Sequence, residues 1–173
     1  MSRGEAVAAR ARALVGLRFR AQGRGADGVD CVGLVAVALG REGVRRDYAL
    51  RGGCLASLEA ELKVAGLVRV ERCAAGDVLV MRAGPGQLHL GVWTGCGLVH
   101  ADAGLRRVVE RPGQVPWPVV GVWREADGHA LPDRPSTPAF GGGPPPSAGI
   151  PPARRRRRSL EARCAPRSAP GRI

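Results

Sequence analysis

Paired cysteine motifs and long apolar runs are what this 173-residue sequence lacks, and histidine is scarce. There are three histidines, and two of them, His89 and His100, lie close together. The five cysteines (Cys31, Cys54, Cys73, Cys96 and Cys164) are odd in number and include no Cys-x-x-Cys pair. That argues against a disulfide framework and against a zinc knuckle. No stretch approaches the ~20 apolar residues needed to cross a bilayer, so no membrane insertion is expected. The opening Met-Ser-Arg-Gly-Glu-Ala-Val-Ala-Ala-Arg-Ala-Arg lacks the apolar segment of a secretory signal. The expectation is synthesis in the cytoplasm without a signal peptide.

Charge is abundant but uneven. Residues 1–130 hold 18 Lys/Arg against 13 Asp/Glu, and residues 131–173 hold 9 against 2. The last quarter thus carries more than half of the net charge of +12. The basic character belongs mostly to a segment with Pro-Pro-Pro, Gly-Gly-Gly and the run Arg154–Arg158, which lacks the means to build a core. Two regions are expected: a domain over 1–130 and a disordered Pro/Gly/Arg-rich tail over 131–173. A mildly basic domain gives no reason to expect specific nucleic-acid binding, although the arginine run favours weak adhesion to anionic polymers.

Within the domain the hydrophobic period changes. Residues 4–17, 31–40 and 54–65 follow helical spacing, with Gly40 or Gly43 and Gly66 as stops. From Gly76 the period is two. Residues 77–82, 89–93, 98–101, 105–110 and 119–124 read as strands, with a short further strand at 67–70. Helices followed by consecutive short strands indicate an α+β fold with a five-stranded antiparallel sheet.

The stretch Gly28-Val29-Asp30-Cys31-Val32-Gly33-Leu34-Val35 organises the rest. Asp30 is a good N-cap, which puts Cys31 in the first turn of a helix, where the dipole favours a thiolate. A catalytic thiol needs a base, and histidine is the usual one. If Trp93 pairs with Leu98, His89 and His100 fall on one face of a hairpin; a one-residue slip would separate them. Cys31, His89 and His100 then compose a nucleophile, a base and an orienting group for acyl transfer. A Cys with two His also resembles half a zinc site, but Cys54, Cys73 and Cys96 lack metal-site spacing.

Phe19-Arg-Ala-Gln-Gly-Arg-Gly-Ala-Asp-Gly-Val-Asp-Cys31 with Val32-Gly33-Leu34-Val35 resembles the nucleophile motif of the NlpC/p-sixty cell-wall cysteine peptidases. Gly76-Asp77-Val78-Leu79-Val80, His89-Leu-Gly-Val-Trp and Leu98-Val99-His100-Ala101 resemble later motifs of that family, in the same order, across roughly residues 5–125. The resemblance implies a papain-like fold with Cys31 as nucleophile, His89 as base and His100 as orienting residue. It implies hydrolysis of peptidoglycan stem peptides, typically at the γ-D-glutamyl–diaminopimelate bond, with no metal or cofactor. It implies substrate contacts at Asp30 and at Phe19 and Val32, where the family usually has tyrosine and serine; Asp30 would then bind the substrate's amine. The layout is similar to members carried by phage tails, prophages and gene transfer agents, so phage-like tail proteins are expected partners and the wall the place of action. Alternatives are a tail-tip assembly protein that keeps the fold without the activity, and a related amidase or acyltransferase.

Overall fold

A computed structural model describes residues 1–48 and 52–126. The region expected to be a disordered tail, with Arg154–Arg158 and Cys164, lies outside the described residues.

Three helices precede the main sheet: α1 (Arg3–Ala13), α2 (Cys31–Ala38) and α3 (Leu55–Val64). Helix α1 starts at a capping box, in which Ser2 Oγ accepts the Glu5 N–H and the Glu5 carboxylate accepts the Ser2 N–H. It ends earlier than the apolar spacing suggests, because Gly16 takes a positive φ of 91° and turns the chain. Between α1 and α2, β1 (Arg24–Gly25) and β2 (Gly28–Val29) form a two-residue antiparallel hairpin. Helix α2 is apolar nearly all round and buries Leu34, Val35, Ala36 and Ala38. It is a core helix, not a surface helix with one wet face.

The strands are β3 (Leu67–Val70), β4 (Val78–Gly84), β5 (Gln87–Trp93), β6 (Gly97–Asp102), β7 (Arg107–Pro112) and β8 (Val119–Glu125). They form one antiparallel sheet of six strands in the order β3-β8-β4-β5-β6-β7. The expected count of five is therefore corrected to six. Leu67–Val70 joins the sheet by pairing with the last strand, Leu67 opposite Glu125 through Val70 opposite Val122. That pairing crosses more than fifty residues and leaves no local trace in the sequence.

Alternation gives the sheet two apolar faces. Val78, Val80, Leu90, Val92, Val99, Ala101, Val108 and Trp123 share one core with Val7 and Ala11 of α1, Leu34 and Ala38 of α2, and Leu62 of α3. Leu79, Met81 and Leu98 form a second cluster with Trp93, Val115, Trp117 and Val122. At the start of β4 the Gly76-Asp77 pair has a physical reason. A Cβ on Gly76 would lie 2.2 Å from the Gly4 carbonyl oxygen, and φ there is +89°. The buried Asp77 carboxylate accepts the Ala74 N–H and both Nε and a terminal nitrogen of Arg124, at 2.7–2.8 Å. The loop, the sheet and the last strand are joined at that one charge-assisted contact.

Candidate active site

Trp93 pairs with Leu98 and Val92 with Val99. In this register His89 and His100 share a face, four and two residues from the Trp93–Leu98 pair. They are diagonal neighbours across the strands, within reach of two imidazoles. His89 Nε2 lies 3.1 Å from His100 Nδ1. Gly91, between His89 and Trp93, allows the close approach of β6. A Cβ there would meet Leu98 Cδ1 at 2.6 Å and the Val99 carbonyl oxygen at 2.9 Å.

The indole of Trp117 packs edge-to-face on both imidazoles, with centroids 5.1 Å from His89 and 5.2 Å from His100. Both histidines are buried, and both titrate below the ordinary imidazole value. His89 is pushed down to about 4, by burial first and by His100 second, with Asp102 and Asp30 opposing. His100 is lowered chiefly by burial. Near neutral pH the pair is therefore uncharged, as a base must be to accept a proton.

Cys31 is the first residue of α2, and Asp30 caps it by accepting the Gly33 N–H at 2.8 Å. The sequence alone suggests a thiolate at this position. Instead, burial raises the Cys31 thiol to about 11, and the Asp30 charge adds to the rise. The backbone N–H groups of Leu90, Val32 and Cys31 favour the thiolate but do not offset burial. At rest the thiol and the two imidazoles are thus all neutral. Among the described residues no hydrogen bond joins the thiol to either histidine. All three line one cleft of about 370 Å³, whose wall also includes Phe19, Asp30, Asp102 and Trp117.

Cys31 also borders a second cleft of about 320 Å³, lined by Val32, Arg45, Tyr48, Cys54, Glu61 and Leu90 among others. The fold thus brings Phe19 and Asp30 to the histidine side and sets Val32 on the other. The thiol thus has a cleft on each side.

Asp30 is fully buried, and its carboxylate is fully used. Oδ1 accepts Gly33 N–H and an Arg24 guanidinium N–H at 2.8 and 3.0 Å. Oδ2 accepts Gln22 N–H at 2.7 Å and the Tyr48 hydroxyl. A carboxylate offers about four acceptor positions, and all four are occupied. An amine arriving at Asp30 would have to displace Arg24 or Tyr48, so the expected amine contact at this residue does not fit the geometry. Arg24 and Tyr48 were not legible as site residues, nor was Trp117. Arg24 comes from β1, Tyr48 from the connection after α2, and Trp117 lies between two prolines in the β7–β8 connection.

Among the described residues no group of three or more His, Cys, Asp or Glu side chains is arranged to hold a metal ion. Cys96 is exposed in the β5–β6 turn, 3.2 Å from an Arg12 guanidinium nitrogen. No described helix is long and apolar enough to cross a membrane.

No family model matches the sequence, and no curated protein matches it either. Solved structures do. NlpC2 from Trichomonas vaginalis superposes with a TM-score of 0.53 at 21% identity over 70% of this chain and 48% of its own. The fold is that of the NlpC proteins. NlpC1 from the same organism gives 0.52 at 19% identity, over 70% of this chain and 45% of its own. The peptidoglycan hydrolase RipB from Mycobacterium tuberculosis gives 0.47 at 24% identity, over 70% and 64% of the two chains. This chain spans about half the length of the two Trichomonas proteins.

Proposed function

We propose that the protein is a peptidoglycan hydrolase that cuts stem peptides with Cys31 as nucleophile. The observation that carries the reading is the convergence of Cys31, His89 and His100 on one cleft, with the two imidazoles hydrogen-bonded to each other.

The contact between the two rings supports one assignment of roles to their nitrogens. With His89 Nε2–H donating to His100 Nδ1, His89 Nδ1 is left unprotonated and free to take the thiol proton. His100 then acts as the orienting group, and Trp117 holds both rings and keeps water from them. Thiol and imidazole are neutral at rest, so the proton moves as the thiolate attacks. Sulfur adds to the scissile carbonyl carbon. The resulting oxyanion is stabilised by backbone N–H groups at the start of α2. His89 returns the proton to the leaving amine, and the acyl group remains as a thioester on Cys31. Water, deprotonated by His89, releases it as a carboxylic acid and regenerates the thiol.

Within this reading the bond is γ-D-glutamyl–diaminopimelate, and the site of action is the wall, reached by a phage-like tail tip. The motif resemblance supports the first refinement, and the similarity of layout supports the second. The test is acid quenching during turnover of a stem peptide, followed by mass spectrometry. An acyl adduct on the Cys31 peptide that hydroxylamine removes is the expected result. Turnover without any adduct, and unaffected by Cys31→Ala, refutes the nucleophile. A folded protein with no turnover favours the assembly role instead, and transfer of the acyl group to an amine favours an acyltransferase.

A further inference from the structure

The cleft that holds the two histidines is lined by two carboxylates, Asp30 and Asp102, and by no lysine or arginine. Asp30 is spent, since its acceptor positions are all occupied. Asp102 is not. It is half-buried at the end of β6, and its Oδ1 accepts the Leu105 N–H at 2.9 Å. Among the described residues its Oδ2 has no partner, and no ion pair reaches this carboxylate. Arg107, opposite it in the β6–β7 ladder, donates through Nε to the Leu105 carbonyl instead. His100 and Asp102 are two residues apart on one strand, so both side chains leave the same face of the sheet, the face that His89 shares. Burial lowers both imidazoles, and the Asp102 charge acts against it at each. The carboxylate with acceptor positions to spare thus lines the same cleft as the base.

Which part of a substrate meets Asp102 follows from proton transfer. On the hydrolase reading, on which this inference rests, His89 returns its proton to the leaving amine. The residue that carries this amine therefore lies over the histidine cleft, and the acyl half lies over the other. We propose that Asp102 is a specificity-determining residue of the leaving side and reads an ammonium on the side chain of the leaving residue. A carboxylate with a free oxygen, in a cleft with no competing cation, holds an ammonium by a charge-assisted hydrogen bond. Phe19, Leu88, Ala103 and Trp117 of the same wall offer apolar surface to the methylene stem that carries such a head group. What is selected is a positive charge at one position. Diaminopimelate and lysine both meet that requirement, and a residue with a neutral side chain does not.

The test uses the full-length protein and peptides of the form L-Ala-γ-D-Glu-X, where X is diaminopimelate, diaminopimelate acetylated on its distal amine, or lysine. The wild type should cleave both ammonium-bearing peptides with kcat/KM about tenfold or more above the acetylated one, the size of one charge-assisted contact. Asp102→Asn keeps an acceptor for the Leu105 N–H and removes the charge. It should bring the three values within about threefold of one another, by loss at the ammonium-bearing peptides alone. Equal cleavage of the free and acetylated peptides by the wild type, or a lysine peptide cleaved no better than the acetylated one, overturns the inference and leaves the peptidase reading intact. So does a loss in Asp102→Asn shared equally by all three peptides, which places the effect of the charge at the imidazoles. A folded wild type that cleaves none of them overturns the peptidase reading and this inference with it. Binding to the Cys31→Ala protein gives a readout without turnover. Tighter binding of the free diaminopimelate peptide than of its acetylated form supports the proposal, and equal affinity contradicts it.

Discussion

Replacing His89 by glutamine should flatten the acid limb of the protein's stability. His89 has one face against Trp117, a neighbouring imidazole at 3.1 Å and little solvent. Its value falls from 6.5 to about 4 for those reasons. The folded protein therefore binds fewer protons than the unfolded chain between these values. Stability is full above about pH 6.5 and is lost as pH falls toward 4. At about 1.4 kcal/mol per unit, His89 alone accounts for about 3 kcal/mol, a large share of a small domain's stability. His100 is shifted in the same direction and adds to the loss. Glutamine keeps a donor near His100 Nδ1 without a titrating ring. Urea unfolding at pH 7.5, 6.5, 5.5 and 4.5 should show the wild type losing stability steeply and His89→Gln losing much less. Parallel pH dependences for the two proteins would refute the claim that a buried, desolvated imidazole sits at this position.

Alkylation should distinguish two cysteines that border the same cleft. With the Cys31 thiol near 11, roughly one molecule in ten thousand is thiolate at pH 7, whereas backbone N–H groups of Ser57 and Ala56 pull exposed Cys54 below its ordinary value. Peptide mapping after limited iodoacetamide treatment should find Cys54 modified well before Cys31, and the reverse order contradicts the neutral-thiol centre. Gly33→Ala should cost more than about 2 kcal/mol, because its Cβ would lie 2.0 Å from the Gly23 carbonyl oxygen. Gly25→Ala meets no atom within 4 Å and should stay within about 0.5 kcal/mol by the same urea assay. Asp77→Ala removes a buried carboxylate that accepts three hydrogen bonds from the Ala74 N–H and Arg124. It should lower the urea-derived stability by about 2 kcal/mol, the half-exposed Arg124 being rehydrated.

What the sequence reveals here is what is locally encoded. Asp30 as the cap of α2 follows from a carboxylate three residues before the Gly33 N–H that it accepts. The register that brings His89 and His100 together follows from alternation across a short turn, because a slip would reverse every face. What it hides depends on distant segments. The pairing of β3 with β8 joins the middle of the domain to its end. The environment of the thiol is a tertiary property. The helix start argues for a thiolate, but burial against β5 outweighs it. The fate of Asp30 is likewise invisible until Arg24 of β1 and Tyr48 of the connection after α2 use its remaining acceptor positions. Trp117 belongs to the same class. Its role over the two imidazoles is set by where the β7–β8 connection crosses the sheet, and its proline neighbours mark only the turn.

The central claim is that Cys31 performs peptide hydrolysis on cell-wall material. Its most direct test is digestion of purified diaminopimelate-type peptidoglycan by the wild type and by Cys31→Ala, with the products read by mass spectrometry. The account predicts a new fragment ending in γ-D-glutamate from the wild type and none from Cys31→Ala. The same fragments from both proteins, or none from a wild type shown to be folded, would contradict it.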